Sequence, residues 1–268
     1  MNPSAIDNKI VLGVDIGSIN SKAVIFANNA IVSWVVIPSG GNTAIAAGEV
    51  IKHALKKAGI SNKDIAYIVA TGYGAANVPL ANQSTNDISC HGRGISYLFP
   101  SVRTVVDIGG QFSRAFKIDK EGHLLTFVLS EKCAAGSGRL LQVIARVLQV
   151  EVQELGELSL KSRNKVNFTT GCAVFNESEA ISRIAEGTLK EDIAAGVQQA
   201  LAGKIQSLME RLSIEPDCAL IGGGAKNIGL VKSIENLLKQ TILVPEEPQI
   251  IAALGAALIA RDKIRPKS

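Results

Sequence analysis

The chain has 268 residues, of which 47% are hydrophobic and only 4% aromatic, and its formal net charge is +4. This length suits two modest lobes better than one large core, and the composition excludes a disordered or fibrous chain and is typical of an α/β protein. The sequence contains no basic patch interleaved with aromatic residues and no apolar stretch near the ~20 residues that span a bilayer. We therefore expect a cytoplasmic protein that binds neither nucleic acid nor membrane.

The first lobe is predicted over residues 8–100. Residues 10–14 form a β-branched strand that leads into a glycine turn and a return strand ending at Phe26. A strand at 31–37, a helix at 43–58, a strand at 65–70 with a turn after it, and a helix at 88–97 follow. Phe99 and Pro100 end that helix, and the lobe boundary is placed there.

The second lobe is predicted over residues 101–249. Its strands are expected near 102–107, 113–118 and 124–129, and its helices at 138–150, 176–185 and 190–212. A strand beginning at Cys218 then enters a glycine-rich turn. The last helix, residues 250–263, is expected to pack back on the first lobe.

Residues 15–26 and 107–118 are two copies of one pattern. Asp-Ile-Gly opens each copy, a serine and then a base follow in register, and each copy lies between two apolar runs. Each therefore predicts a strand, a glycine turn and a return strand, with an aspartate at the mouth of the turn. The simpler alternative is two ordinary tight hairpins. Two copies favour related lobes that face one cleft, in which backbone N–H groups cradle phosphates and carboxylates hold the Mg²⁺ shell.

A third glycine-rich loop, residues 222–227, follows the strand that begins at Cys218. Glycine there lets the backbone lie flat against an adenine or a ribose, although such a loop alone could equally be a plain strand-to-helix turn. With the two hairpins it gives two phosphate elements and an adenosine element in chain order. This order resembles the actin, Hsp70 and sugar-kinase superfamily, which implies two ribonuclease-H-like lobes with a nucleotide cleft between them.

Two of the four cysteines, Cys133 and Cys172, lie at or just before predicted helix N-termini. A helix N-terminus favours an anion, so a thiolate or an anionic cluster is supported there; the alternative is two small buried cysteines. An iron–sulfur cubane needs about four thiolates. Two per chain would suffice if a twofold dimer axis passes through the cluster. Cys90 and Cys218, in apolar surroundings, are predicted to be buried thiols.

Five segments carry a closer resemblance: residues 70–74, 89–91, 107–111, 132–139 and 172–179. They are similar to the ATP-dependent activators of 2-hydroxyacyl-CoA dehydratases, a family that includes the ATPase subunits of benzoyl-CoA reductase and the reductases of double-cubane cluster proteins. The resemblance implies a homodimer with one bridging [4Fe–4S] cluster, and one ATP with Mg²⁺ per subunit. It also implies a ferredoxin or flavodoxin as electron donor and an Fe–S dehydratase or reductase component as acceptor.

The resemblance assigns roles residue by residue. It makes Cys133 and Cys172 the cluster ligands and gives catalytic roles to Asp15, Asp107 and Gln111. The positions that it assigns to the nucleotide are Gly17, Ser18, Ile19, Asn20, Ser21, Lys22, Gly109, Gly110, Gly222, Gly223, Gly224, Ala225, Lys226, Asn227 and Gln249. One position departs from the pattern: Phe112 stands where family members commonly have an acidic residue.

Two other functions compete with an ATP-hydrolysing electron-transfer protein. A small-molecule kinase of the same superfold would need an aspartate poised against a substrate hydroxyl, and would not need Cys133 or Cys172. A chaperone-like ATPase would need a peptide-binding domain, and no residues remain to build one. Protein purified without oxygen should be brown under the electron-transfer hypothesis and colourless under both alternatives.

Overall fold

The computed structural model describes residues 9–130, 134–168 and 172–265. The strands, in chain order, are β1 (Ile10–Ile16), β2 (Asn20–Ala27), β3 (Ala30–Pro38), β4 (Ile65–Thr71), β5 (Gln83–Ser84), β6 (Thr104–Ile108), β7 (Ser113–Ile118), β8 (Leu124–Leu129), β9 (Cys218–Ile221) and β10 (Ile242–Leu243). The helices are α1 (Thr43–Ala58), α2 (Asp87–Leu98), α3 (Gly138–Leu148), α4 (Leu155–Ser159), α5 (Ala173–Ala185), α6 (Lys190–Glu210), α7 (Ile228–Leu238) and α8 (Ile251–Ile264). None of these helices is long and apolar enough to cross a membrane.

The chain divides into two compact units, each built on one five-stranded sheet. Within the described residues, the first unit consists of the chain up to Val102, the segment Ile118–Leu124 and the chain from Gln249 onward. Its sheet has the order β3-β2-β1-β4-β5, with β1 antiparallel to β2 and parallel to β4. Helix α1 covers one face of this sheet, and α2 and α8 cover the other.

Both ends of α1 are determined locally. The Asn42 side chain accepts hydrogen bonds from the backbone N–H groups of Ala44 and Ile45, and Gly59 ends the helix in the left-handed conformation at φ +68°. Asparagine at the N-cap and glycine just past the C-terminus satisfy the backbone groups that a helix leaves unpaired. The buried face of α1 carries small and branched apolar residues, including Ala47, Val50 and Ala54, so this helix has the bounds that the sequence predicts.

Helix α8 lies against β1 and α2 with its backbone unusually close to theirs. A Cβ added at Gly255 would lie 1.7 Å from the carbonyl oxygen of Cys90 in α2, and one added at Gly13 in β1 would lie 2.0 Å from that of Ala253. The backbones can approach this closely only because glycine has no side chain. The alanine-rich composition of α8 serves the same close packing, and the helix is buried along most of its length.

We expect Gly255→Ala to destabilise the protein by about 3 kcal/mol or more, because the added methyl group must displace backbone rather than a flexible side chain. Chemical denaturation measures the difference. Gly48→Ala is a matched control, since Gly48 also lies within a helix of the first unit but has open space around its Cβ position. That variant should gain roughly 0.5–1 kcal/mol. Equal stability of the two variants would contradict this account of α8.

The second unit repeats the topology of the first. It comprises Arg103–Lys117 and the chain from Leu125 to Pro248, and its sheet has the order β10-β9-β6-β7-β8. As in the first unit, the first strand of the hairpin (β6) is antiparallel to its partner β7 and parallel to a later strand, β9. Helices α3 and α6 pack on this sheet through a core that includes Leu140, Ile144 and Val197. The duplication visible in the two hairpin sequences therefore extends to both sheets.

The segment Ile118–Leu124 belongs to the first unit although the strands on either side of it lie in the second sheet. Arg93 donates a hydrogen bond to the carbonyl oxygen of Glu121 at 2.7 Å, and a Cβ at Gly92 would lie 2.5 Å from the carbonyl oxygen of Gly122. A single boundary at residue 100 does not describe this turn, because contacts with α2 rather than chain order decide where it belongs.

Several elements differ from the sequence-based prediction. Helices α4 and α7 and the two-residue strands β5 and β10 are additional, and α5 begins at Ala173 rather than at 176. Helix α3 ends at Leu148 because Gln149 adopts the left-handed conformation at φ +55°. Helix α7 follows directly after the glycine-rich turn, where the sequence-based prediction ends. The Asn227 side chain caps this helix by accepting a hydrogen bond from the backbone N–H of Leu230. A two-residue strand is too short to show alternation.

Candidate functional site

The first hairpin places an aspartate opposite a lysine on adjacent strands. Asp15 and Lys22 are direct partners in the β1–β2 register, and Lys22 Nζ donates a hydrogen bond to Asp15 Oδ2 at 2.9 Å. Asp15 is only 5% exposed. A buried carboxylate requires a charged or hydrogen-bonding partner, and the cross-strand pairing supplies one.

The loop between β1 and β2 is closed by a hydrogen bond from Gly17 N to Asn20 O at 3.1 Å. The Ser39 hydroxyl donates a hydrogen bond to the carbonyl oxygen of Gly17 at 2.7 Å, and its oxygen lies 2.8 Å from the hydroxyl oxygen of Ser21. These contacts fix the base of the loop. Ser18 and Ile19, at the tip, are exposed. The loop thus presents a short, fixed stretch of backbone to solvent, as a phosphate-binding loop requires.

The second hairpin has the same arrangement, with an arginine in place of the lysine. Asp107 and Arg114 are partners in the β6–β7 register. Arg114 Nε donates a hydrogen bond to Asp107 Oδ2 at 3.0 Å, and Nη2 forms an ion pair with the same oxygen at 2.9 Å. Gly109 N closes the loop on the carbonyl oxygen of Phe112 at 3.1 Å, and Gln111 is exposed at its tip.

A glycine turn lies against each aspartate. A Cβ at Gly222 would stand 2.3 Å from Asp107 Oδ1, and one at Gly72 would stand 2.2 Å from Asp15 Oδ1. Both glycines have positive φ, +83° and +86° respectively, so a side chain there would be both strained and in collision. Sequence reasoning assigned the later turn to the nucleotide and missed the part played by the earlier one. A sequence signal for the earlier turn was present, because both turns have the sequence Gly-x-Gly. Each follows directly after a strand that pairs in parallel with the first strand of its hairpin.

The remaining nucleoside candidates lie in two places. Gly223–Lys226 form a 3-10 turn in which Gly224 and Ala225 are buried, and Asn227 is the N-cap residue of α7. Lys226 is exposed and forms an ion pair with Glu247 at 2.8 Å. Gln249 is half-buried and belongs to the first unit, whereas Gly222–Asn227 belong to the second.

Only one of the two candidate cluster ligands, Cys172, lies within the residues that the structure describes. Cys133 lies outside the described residues. Cys172 is the N-cap residue of α5, is half-buried, and accepts no capping hydrogen bond through its sulfur. The positive end of a 13-residue helix therefore faces the position of this thiol, which suits an anionic ligand.

Cys90 and Cys218 are buried, as the sequence predicts. Burial raises the pKa of the Cys90 thiol to about 12. Burial also raises the pKa of Cys218, whose sulfur accepts a hydrogen bond from Gln240 Nε2 at 3.3 Å. The thiolate, which is the form that binds a metal, is therefore disfavoured at both residues.

The loop after Cys133 is hydrogen-bonded to the second hairpin. The Ser113 hydroxyl, fully buried on β7, donates to the carbonyl oxygen of Gly136 at 2.6 Å. Gly138 N donates to the carbonyl oxygen of Gly109 at 2.9 Å, which joins the first residue of α3 to the glycine loop itself. Displacement of that loop would thus be transmitted directly to the start of α3.

The duplicated sheets and hairpins define an α/β protein of the actin, Hsp70 and sugar-kinase superfold, as the sequence predicts. Residues 12–260 match the BadF/BadG/BcrA/BcrD ATPase family, and the chain belongs to that family. It is 40% identical over 255 residues to the 2-hydroxyisocaproyl-CoA dehydratase activator of Clostridioides difficile, an alignment that covers 95% of this chain and 96% of that protein.

Solved structures support the same assignment. The activator of the 2-hydroxyisocaproyl-CoA dehydratase from Clostridium difficile with bound ADPNP superposes with a TM-score of 0.91 at 39% identity, covering 97% of this chain and 99% of that one. A ROK family glucokinase from Streptomyces griseus reaches a TM-score of 0.61 at 15% identity over 94% of this chain and 99% of its own. The second likeness concerns the fold alone.

Proposed function

We propose that this protein is an ATP-hydrolysing activator that delivers low-potential electrons to a partner Fe–S enzyme, as a cytoplasmic homodimer with one [4Fe–4S] cluster. The observation that carries this proposal is a pair of hydrogen bonds between the second hairpin and residues 136–138: the Ser113 hydroxyl donates to Gly136 O, and Gly138 N donates to Gly109 O. They join a candidate nucleotide element, within one unit, to the segment that follows Cys133 in the sequence.

The nucleotide part of the proposal uses both hairpins. The loops Gly17–Lys22 and Gly109–Gln111 offer backbone N–H groups to phosphate oxygens, and Asp15 and Asp107 hold the Mg²⁺ shell. Gln111 is exposed at its loop tip, where it can orient the attacking water. The ADPNP bound by the Clostridium difficile activator supports a nucleotide ligand of this class.

The cluster part of the proposal draws on Cys172 and the surface beside it. Thiolates are the usual ligands of a cubane, and about four are needed; Cys133 and Cys172 from each of two chains supply them. Helix α5 exposes Val174 and Phe175 at 66% and 62%, next to Cys172. A second copy of the chain would cover these apolar side chains. When bound, the cluster would supply a one-electron redox centre of low potential.

The partners are proposed from the resemblance and from the relatives. The relative from Clostridioides difficile is a dehydratase activator, and a protein of Thauera aromatica that is 30% identical over 264 residues is one of the subunits of a benzoyl-CoA reductase. We propose that the present protein accepts electrons from a reduced ferredoxin or flavodoxin and passes them to an Fe–S component of one of these two kinds.

Ser113 is the place to test whether nucleotide and cluster are coupled. In the wild-type protein, Mg-ADPNP should change the rate at which an iron chelator removes the metal, because a displacement of the nucleotide loop would be transmitted through these hydrogen bonds to the segment that follows Cys133. Ser113→Ala removes the hydrogen bond to Gly136 and should abolish at least about half of that change while ATP is still hydrolysed. Ser207→Ala, which removes an exposed hydroxyl of α6, is the control.

Two outcomes would contradict the proposal. Colourless protein after anoxic purification, with or without kinase activity, would remove the electron-transfer function. If the protein is brown but neither its spectrum nor its chelation rate changes when nucleotide is added, the cluster has a structural role and is not coupled to ATP.

A further inference from the structure

We infer that Arg114 is a positioning residue for ATP hydrolysis: it fixes the orientation of the Asp107 carboxylate and acts only through that carboxylate. This inference deepens the proposed function and rests on it. Its basis is the geometry around Asp107, which leaves the carboxylate little freedom to rotate.

Each oxygen of Asp107 has a fixed neighbour. Oδ2 accepts a hydrogen bond from Nε of Arg114 and forms an ion pair with Nη2 of the same side chain. Oδ1 lies against the Gly222 turn, where even a methyl group would not fit. Asp107 and Arg114 are 6% and 5% exposed, so water cannot readily take the place of either neighbour.

The guanidinium also lies close to an aromatic ring. Its carbon Cζ lies 5.8 Å from the centre of the Phe112 ring, a distance at which a cation is attracted to an aromatic face. Arginine can place two nitrogen atoms on one carboxylate oxygen, whereas a lysine places a single ammonium group there. The side chain at position 112 thus helps to keep Arg114 on Asp107.

The first hairpin provides an internal comparison. There a single ammonium group, that of Lys22, holds Asp15 Oδ2 at 2.9 Å, while Gly72 lies against Oδ1. The equivalent carboxylate is therefore contacted by one nitrogen atom in the first unit and by two in the second. A lysine at position 114 should accordingly keep most of the positioning, whereas an uncharged side chain should lose it.

The test compares Arg114→Met and Arg114→Lys in Mg-ATP hydrolysis, with rates expressed per nucleotide-binding site. Methionine keeps apolar bulk beside Phe112 but neither charge nor donor. We expect Arg114→Met to lower kcat about 10-fold or more with KM changed less than about 3-fold, because small displacements of a reacting group are costly. Arg114→Lys should stay within about 3-fold of the wild-type kcat.

A double variant separates a positioning role from a direct one. If Arg114 acts only through Asp107, then Asp107→Asn/Arg114→Met should be no slower than Asp107→Asn alone, within about 2-fold. Losses that multiply would overturn the inference, as would an Arg114→Met variant that melts earlier but keeps the wild-type kcat per site. A wild-type protein that does not hydrolyse ATP would overturn the proposed function together with the inference. A wild type that hydrolyses ATP no faster than Arg114→Met overturns the inference alone.

Discussion

Replacing Cys172 with alanine is expected to abolish the brown colour and the iron content of the anoxically purified protein. Cys172 lies at the N-terminus of α5, where the helix favours an anionic ligand. A cubane shared between two chains loses two of its about four thiolates through this one substitution. Cys133→Ala should give the same result. Iron and sulfide analysis and the visible spectrum measure both variants.

The other two cysteines are the controls for this experiment. Cys90→Ala and Cys218→Ala remove buried thiols whose pKa is raised by burial, so both variants should remain brown. The wild-type protein should contain about two iron atoms per chain, as one cubane per dimer. A complete cubane on a stable monomer, or a colourless Cys90→Ala, would show that the ligands were assigned incorrectly.

Asp107→Asn should lower the rate of Mg-ATP hydrolysis by about 100-fold or more without unfolding the protein. The amide has nearly the shape of the carboxylate but lacks the charge that holds a metal shell and orients the attacking water. Arg114 loses an ionic partner in this variant, so some loss of thermal stability is also expected. Steady-state hydrolysis and nucleotide binding should therefore be measured on the same preparation.

Asp64→Asn is the matched control for Asp107→Asn. Asp64 is an aspartate of the first unit whose carboxylate accepts hydrogen bonds from the backbone and hydroxyl of Ser61 at the start of a short turn. Its replacement should leave hydrolysis within about 2-fold of wild type. Unchanged turnover in Asp107→Asn would instead remove the second hairpin from the nucleotide site.

The features that could be predicted from the sequence are those whose causes are local. The two Asp-Ile-Gly hairpins could be predicted because strand alternation and a glycine turn lie within a dozen residues of one another. The same register that places Lys22 opposite Asp15 also places Arg114 opposite Asp107. Helix α1 could be predicted with both ends, since Asn42 and Gly59 flank an uninterrupted apolar periodicity.

Contacts between residues far apart in sequence depend on tertiary packing and could not be predicted. Gly255 approaches Cys90 and Gly222 approaches Asp107 across more than a hundred residues of sequence, and the turn Ile118–Leu124 joins the first unit through α2. Periodicity reports which face of an element is buried but not what buries it. For the same reason the hydrogen bond from Ser113 to Gly136 could not be predicted: a buried serine has many possible partners, and the packing of the sheet against the loop before α3 selects one.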